Sequence, residues 1–337
     1  MHWDAWIAEV EQARAAFAAL IGAHPSEIAV GTSVSQLVSS VASALVASSQ
    51  SERKRIVSST VEFPGVAHAW LAMRPHGWHV ELLASDDHGM VRSERFATAV
   101  DEKTALISVP HVCYANGALT ALEPVITSAH AQGTFVFVDA YQSVGTLPLD
   151  VKASGVDFLA AGTLKYLLGT AGIAFLYISP VVLERLEPTV TGWFGRSNPF
   201  AFNPADLDYA DRASRFDLGT PPILNAYAAR AGMHVVAQAG VERVKDQIER
   251  LSVLAYDLAP RLGLRIMGPV LGEGKGATTA IDVGSQERTH SLERELRDQS
   301  IIVSARGSAL RLAPHGFTYE EEMEKALYTV AHVMQEH

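Results

Sequence analysis

Along the chain, stretches with helical periodicity alternate with short, nearly continuous apolar runs. The opening MHWDAWIAEVEQARAAFAALIG spaces its apolar positions as an acidic amphipathic helix does. EIAV, a Gly-Thr-Ser turn and a helix of small residues (SQLVSSVASALVAS) come next. The runs RIVSSTVEF, TALISVPHV, TFVFVDAYQ, VDFLAAG and IAFLYI then read as strands, separated by helical stretches such as EPVITSAHAQG. Strands that are apolar throughout, rather than alternating, must be covered on both faces. The pattern therefore predicts an α/β domain, a mainly parallel sheet flanked by helices, from about residue 15 to residue 245.

The next segment, WFGRSNPFAFNPADLDYADRASRFDLGTPP, is rich in Pro, Asp, Asn and aromatic residues and has neither period. A loop of that length inside a compact domain usually serves a site. One long helix is expected over AYAARAGMHVVAQAGVERVKDQIERLSVLAYDLAP, and TTAIDVG, SIIVSARG and ALRLAP read as strands of a smaller α+β lobe. The expected division is a large domain over residues 1–245 and a small C-terminal domain over 246–337.

Composition narrows the function classes. A chain of 337 residues exceeds what one core comfortably serves, in keeping with two lobes, and 48% hydrophobic with 19% charged residues excludes a disordered chain. The 27 Lys and Arg against 37 Asp and Glu give a net charge of −10, unfavourable for a nucleic-acid partner. The single cysteine, Cys113, forbids an intramolecular disulfide and any multi-cysteine metal site, and fits a reducing, cytoplasmic compartment. No apolar run approaches the roughly 20 residues of a membrane span. The histidines are scattered without metal-ligand spacing, so no metal site is expected. GPVLGEGKGATT fails the spacing of a nucleotide phosphate loop and reads as a flexible hairpin.

Two residues carry candidate chemistry. Asp139 ends the strand TFVFV at the carboxyl edge of the predicted sheet, where open α/β folds place their ligands. Lys165 lies between a buried strand and a glycine-rich turn, and a desolvated lysine there is a competent imine-forming amine. Taken alone, the pair is equally compatible with a cap and a surface cation.

The surrounding block is more specific. VDAYQSVGTLPLDVKASGVDF followed by GTLKYLLGTAGIAFLY resembles the cofactor block of the class V aminotransferase family, fold-type I pyridoxal-phosphate enzymes that include cysteine desulfurases, kynureninases and isopenicillin N epimerase. The resemblance spans residues 27–320. It implies pyridoxal 5'-phosphate as cofactor, covalently linked to Lys165, with Asp139 on the pyridine nitrogen and Gln142 on the ring's phenolic oxygen. It further implies phosphate binding by Thr32 and Ser33 at a helix N-terminus, by Thr163, and by Thr220 across a homodimer interface that completes shared active sites. Phe63 falls where relatives stack an aromatic ring on the cofactor. His111 and Tyr114 match a strand-end block, HV-x-Tyr, of kynureninases, although His111 suits a structural role equally well. Arg311 falls at the family's arginine for the substrate carboxylate, with Arg306 as a second candidate.

The branch of the family is left open between several chemistries. Trp193 and Phe200 in GWFGRSNPFAF resemble kynureninases, but Leu164 and Gln142 stand where those enzymes carry tyrosine and histidine. A desulfurase needs a mobile nucleophilic cysteine in the small lobe, and VSARGSALRLAP has none. An α-amino acid is the expected substrate, turned over by transamination or Cβ (C–S type) cleavage. Epimerisation or racemisation, kynureninase-like hydrolysis, and cofactor binding without turnover are the alternatives.

Overall fold

The computed structural model describes residues 3–48, 53–272 and 274–336. Its large sheet is built from β1 (Ile28–Gly31), β2 (Arg55–Ser59), β3 (His79–Leu83), β4 (Thr104–Pro110), β5 (Phe135–Asp139), β6 (Phe158–Gly162) and β7 (Ala174–Ile178). The strand order is β1-β7-β6-β5-β4-β2-β3, and β7 alone runs against its neighbours, β1 and β6. The continuous apolar runs have the expected cause. Val136 and Val138 of β5 point into one layer, with Phe17 and Val125, while Phe135 and Phe137 point into the other, with Leu37 and Trp70. Both faces are thus buried under helices α1 (Trp3–Leu20), α2 (Val34–Ala47), α3 (Pro64–Leu71), α4 (Ser93–Thr98), α5 (Leu122–Ala131), α6 (Val151–Ser154), α7 (Pro180–Leu183) and α8 (Ile223–Ala239).

The second lobe packs α9 (Val241–Arg261), α10 (Gln286–Asp298) and α11 (Glu320–Glu336) on an antiparallel sheet of β8 (Arg265–Met267), β9 (Thr279–Asp282), β10 (Ser304–Arg306) and β11 (Ala309–Leu312), ordered β10-β11-β9-β8. Leu251, Leu292, Leu310 and Leu327 are central to its core. The single long helix expected before this lobe is broken. Gly240 takes φ +82°, a conformation that strains any residue with a Cβ, so α8 ends there and α9 starts in a new direction. The strand expected from SIIVSARG is confined to Ser304–Arg306, because Ser300 adopts a left-handed turn and Ile302 is exposed.

The glycine-rich GPVLGEGKGATT is not a free hairpin. Lys275 bridges to Ala118, the Gly276 amide donates to Gly117 O at 2.8 Å, and Lys275 Nζ donates to Ser252 Oγ of α9 at 2.9 Å. The segment is a strap joining the two lobes.

The 193–222 loop forms three short 3-10 turns and delivers a buried carboxylate to the edge of the sheet. Asp217 accepts from Arg14 Nη2 of α1 at 2.9 Å and from the Val30 amide of β1 at 2.7 Å. Helix α1, the loop and β1 are thereby locked just ahead of Thr32. Removing one partner of a buried ion pair strands the other charge, so Asp217→Ala is expected to cost about 3–5 kcal/mol in chemical denaturation. A loss below about 1 kcal/mol, the range of exposed pairs, would show that the pair contributes no more than a surface contact.

Candidate active site

The carboxyl edges of β2, β4, β5 and β6 meet in one cleft. In register, Pro110 of β4 lies beside Asp139 of β5, and the His111 amide donates to Asp139 O at 2.8 Å. The Asp139 carboxylate is buried and accepts from the Tyr141 amide at 2.9 Å. Burial raises its pKa, opposed by that amide and by the Lys165 charge. Gln142 and His111 are buried beside it, and Gln142 Nε2 and His111 Nδ1 have no hydrogen-bond partner. Burial pushes the His111 pKa down to about 4, so the ring is neutral at physiological pH.

Lys165 lies in the turn after β6. Its Nζ is 4.6 Å from the ring centroid of Tyr141 and 5.6 Å from that of Phe63. Tyr114 meets Phe63 edge-on, with centroids 5.2 Å apart. Burial lowers the lysine pKa to about 8, with Arg311 and Arg306 pushing the same way against Asp139. A useful fraction of free amine is therefore present near neutrality. The turn is constrained on both sides: Leu168 has φ 56°, an uncommon conformation for a residue with a Cβ, and the Gly169 amide donates to Thr163 O at 2.8 Å. Gly162 at the end of β6 gives room to Tyr141, whose hydroxyl lies 2.2 Å from where a Cβ would stand.

The small lobe supplies the cationic side. Arg311 on β11 is 7% exposed, its Nε has no partner, and no carboxylate pairs with it among the described residues. Burial, reinforced by Arg306, lowers its pKa. Arg306, on the paired strand β10 and on the same face, is exposed. His315 reaches from the small lobe to Tyr166 O at 3.1 Å, and Tyr166 packs with Val244, Ile248 and Ala277. The residue after Lys165 is thus wedged into the smaller lobe.

At the far end of the cleft, Ser33 caps α2 by accepting from the Gln36 amide at 3.2 Å. The Thr32 amide and hydroxyl converge on one oxygen, Gln36 Oε1, at 2.8 and 2.6 Å. Two donors aimed at a single acceptor at a helix N-terminus are the arrangement an oxyanion requires. Thr163 differs: it is fully buried, and its hydroxyl donates to Thr170 O at 3.0 Å within the lysine turn. Thr220 is exposed ahead of α8. Trp193 is packed with Trp3, Phe194 and Phe200 in an aromatic patch.

The donor set fits a pyridoxal-phosphate ring: a buried carboxylate, an amine, an aromatic face, an unpartnered amide donor on Gln142 and an oxyanion-ready helix terminus. A model of the class V aminotransferase family matches residues 3–320. The chain belongs to that family. It is a pyridoxal 5'-phosphate-dependent enzyme with the fold-type I architecture. This class V aminotransferase is 37% identical over 98% of its length to an uncharacterized aminotransferase, YcbU, of Bacillus subtilis, covering 85% of that protein. Kynureninase of Pseudomonas fluorescens is 29% identical over 72% of the chain and 58% of its own length. Among solved structures, a cystine C–S lyase in complex with cysteine persulfide superposes with a TM-score of 0.85 at 20% identity, over 97% of this chain and 87% of the lyase.

Residue-by-residue reading of this class V aminotransferase overlooked Tyr141 and Glu62 as site residues. Tyr141 lies in the turn just beyond β5, where its amide donates to Asp139, and no strand or helix period marks it. Glu62 lies one residue before Phe63, a carboxylate between an apolar strand and a helix-starting proline.

Proposed function

We propose that this enzyme acts on an α-amino acid by transamination or Cβ–S cleavage, with Lys165 as covalent anchor and as the base that takes the Cα proton. What supports this reading is the buried guanidinium of Arg311, with no carboxylate partner among the described residues, near the largely buried Lys165 amine, which in turn interacts with Asp139. Bound pyridoxal phosphate supplies an electron sink for the Cα carbanion. Asp139 would keep the pyridine nitrogen protonated, Gln142 would donate to the phenolic oxygen, Phe63 would cover a ring face, and Thr32 and Ser33 would hold the phosphate at the start of α2. Arg311 orients the substrate by its carboxylate, a task for which a planar fork is well shaped. Arg306 adds positive potential at the mouth.

The thiol distinguishes the branches. Cys113 is 3% exposed, its Sγ faces Val61 O at 3.9 Å, and burial raises its pKa, the opposite of what a sulfur-accepting thiolate needs. Hydrolysis of the kynureninase kind is disfavoured by Leu164, whose side chain offers no proton where those relatives carry a tyrosine. Incubating holoenzyme with a panel of amino acids tests the reading. Pyridoxamine phosphate and an oxo acid indicate transamination; pyruvate, ammonia and a free thiol or persulfide indicate C–S cleavage. Cys113→Ala is expected to keep most of the turnover. A stoichiometric persulfide on Cys113, seen by mass spectrometry after incubation with cysteine, would reassign the enzyme to the desulfurases.

A homodimer with shared sites, in the cytoplasm, completes the proposal. Phe202 is 71% and Leu224 84% exposed, beside the half-exposed Phe200 and Tyr227, apolar surface that a second copy would cover. Thr220 adjoins this surface in sequence. Sedimentation showing a monomer that retains cofactor would exclude the shared site. Among the described residues, no helix is long and apolar enough to cross a membrane.

A further inference from the structure

Beneath the cleft lies a second carboxyl group that the proposed mechanism does not use. Glu62 lies in the turn between β2 and α3 and is 3% exposed. One of its oxygens accepts from the Phe63 amide at 2.9 Å, and the other from Ser108 Oγ at 3.2 Å. Both carboxyls are buried, and the two are close enough for the Asp139 charge to push the Glu62 pKa up. Two carboxylates cannot hydrogen-bond to one another without a proton between them, and buried like charges in contact do not both ionise.

The groups around the pair decide where that proton resides. Glu62 faces Asp139, the Ser108 hydroxyl, the Phe63 amide and, farther off, the Cys113 thiol. Among the described residues no cation pairs with it. Asp139 faces the Tyr141 amide, the Tyr141 ring and the Lys165 ammonium. Among the described residues the cation at the pair, Lys165, is on the Asp139 side, and burial followed by the Asp139 charge drives Glu62 well above the ordinary carboxylate range.

We propose that Glu62 is a positioning residue for the cofactor: it is held as the neutral acid, donates its proton in a hydrogen bond to Asp139, and so fixes the orientation of that carboxylate while leaving the pair's single negative charge on Asp139. The inference rests on reading Asp139 as the partner of the pyridine nitrogen. Phe63 is then tied into the same device. Its amide is bonded to Glu62, so the carboxyl that aims Asp139 also sets the start of the helix carrying the ring-covering side chain.

Glu62→Gln keeps a donor toward Asp139 and an acceptor for the Phe63 amide, and its amide nitrogen can donate to Ser108 Oγ once that hydroxyl rotates to accept, whereas Glu62→Leu removes all three contacts. With purified holoenzyme, Glu62→Gln is expected to leave cofactor affinity within about threefold and the pH midpoint of the bound cofactor's visible band within about 0.3, because no charge is lost. Glu62→Leu is expected to weaken cofactor binding about tenfold or more, since Asp139 loses its donor and two buried donors are orphaned. An infrared band of a protonated carboxyl should be present in the wild-type holoenzyme at neutral pH and absent from Glu62→Gln, a readout that stands even if the leucine variant does not fold. Displacement of the midpoint by a full unit or more in Glu62→Gln, absence of the carboxyl band, or unchanged affinity in a folded Glu62→Leu would overturn the proposal. Asp139→Asn separates the two readings. If it changes neither band nor affinity, the assignment of Asp139 fails; if it changes them and the Glu62 variants behave as wild type, only Glu62 was misassigned.

Discussion

Lys165→Ala is expected to fold, to bind pyridoxal phosphate without the covalent link, and to lose at least about 10³-fold in kcat, because proton transfer alone contributes about 10²–10⁴ and the covalent step is lost with it. The fold should survive because the turn is anchored by its neighbours, the buried Tyr166 and Leu167, and by the bond from the Gly169 amide to Thr163 O. A spectroscopic signature accompanies the loss: the visible band of lysine-bound cofactor should disappear and be replaced by that of the free aldehyde. Retention of wild-type turnover would remove Lys165 from the mechanism.

The same residue makes the apoprotein's stability depend on pH in a defined direction. In the unfolded chain the lysine keeps its proton up to its ordinary pKa of 10.5, and in the folded chain only up to about 8. Between those values unfolding takes up a proton, so stability rises as pH increases from about 8 toward 10.5, while below 8 the full penalty of burying the ammonium applies. Lys165→Ala should abolish that rise in urea melts of the apoprotein. A parallel pH profile in both proteins would mean that the amine is not desolvated.

How much of this was legible in the sequence follows from what each element buries. The strands β4, β5 and β6 are buried throughout, so apart from Thr104, Ser108 and Asp139 their positions are apolar or glycine and the runs were plain in the sequence. Strand β3, HVELL, sits at the sheet edge with His79 exposed and Glu81 half-buried beside Arg55, and the three residues of β8 are exposed or half-buried. Neither shows an apolar run, and neither was expected. Lys165, Asp139 and Arg311 were singled out in the sequence through the resemblance of their surroundings to the family's blocks. Pairing in space was not legible: that Arg311 lacks a counter-ion, that Trp193 belongs to an aromatic patch, that Thr163 is committed to Thr170, and that Glu62 lies close to Asp139 all depend on contacts between segments distant in sequence. The strap at residues 268–277 was misread for a related reason. Its glycines suggested freedom, while backbone groups of Gly274, Lys275 and Gly276 pair with residues 117–119 of the other lobe.

Arg311→Met is expected to separate stability from function. A buried guanidinium without a counter-ion is costly to keep, and replacing it with an apolar side chain of comparable length removes that cost, so the apoprotein should melt at the same temperature or higher. The substrate carboxylate would lose its partner. Truncating one side of a buried charged pair costs about 2–5 kcal/mol, so kcat/KM for the preferred amino acid should fall by roughly 30- to 4,000-fold, mainly through KM. Amines that match the substrate but lack the carboxylate provide the internal control, because the wild type should discriminate strongly against them and Arg311→Met should not. An undiminished preference for the amino acid in the variant would place carboxylate recognition elsewhere, with Arg306 on the same face of the hairpin as the first residue to examine. A large loss of stability in Arg311→Met would instead show that the guanidinium is a structural group whose burial the fold requires, and the opposite signs expected for melting temperature and kcat/KM make the two roles separable in one variant.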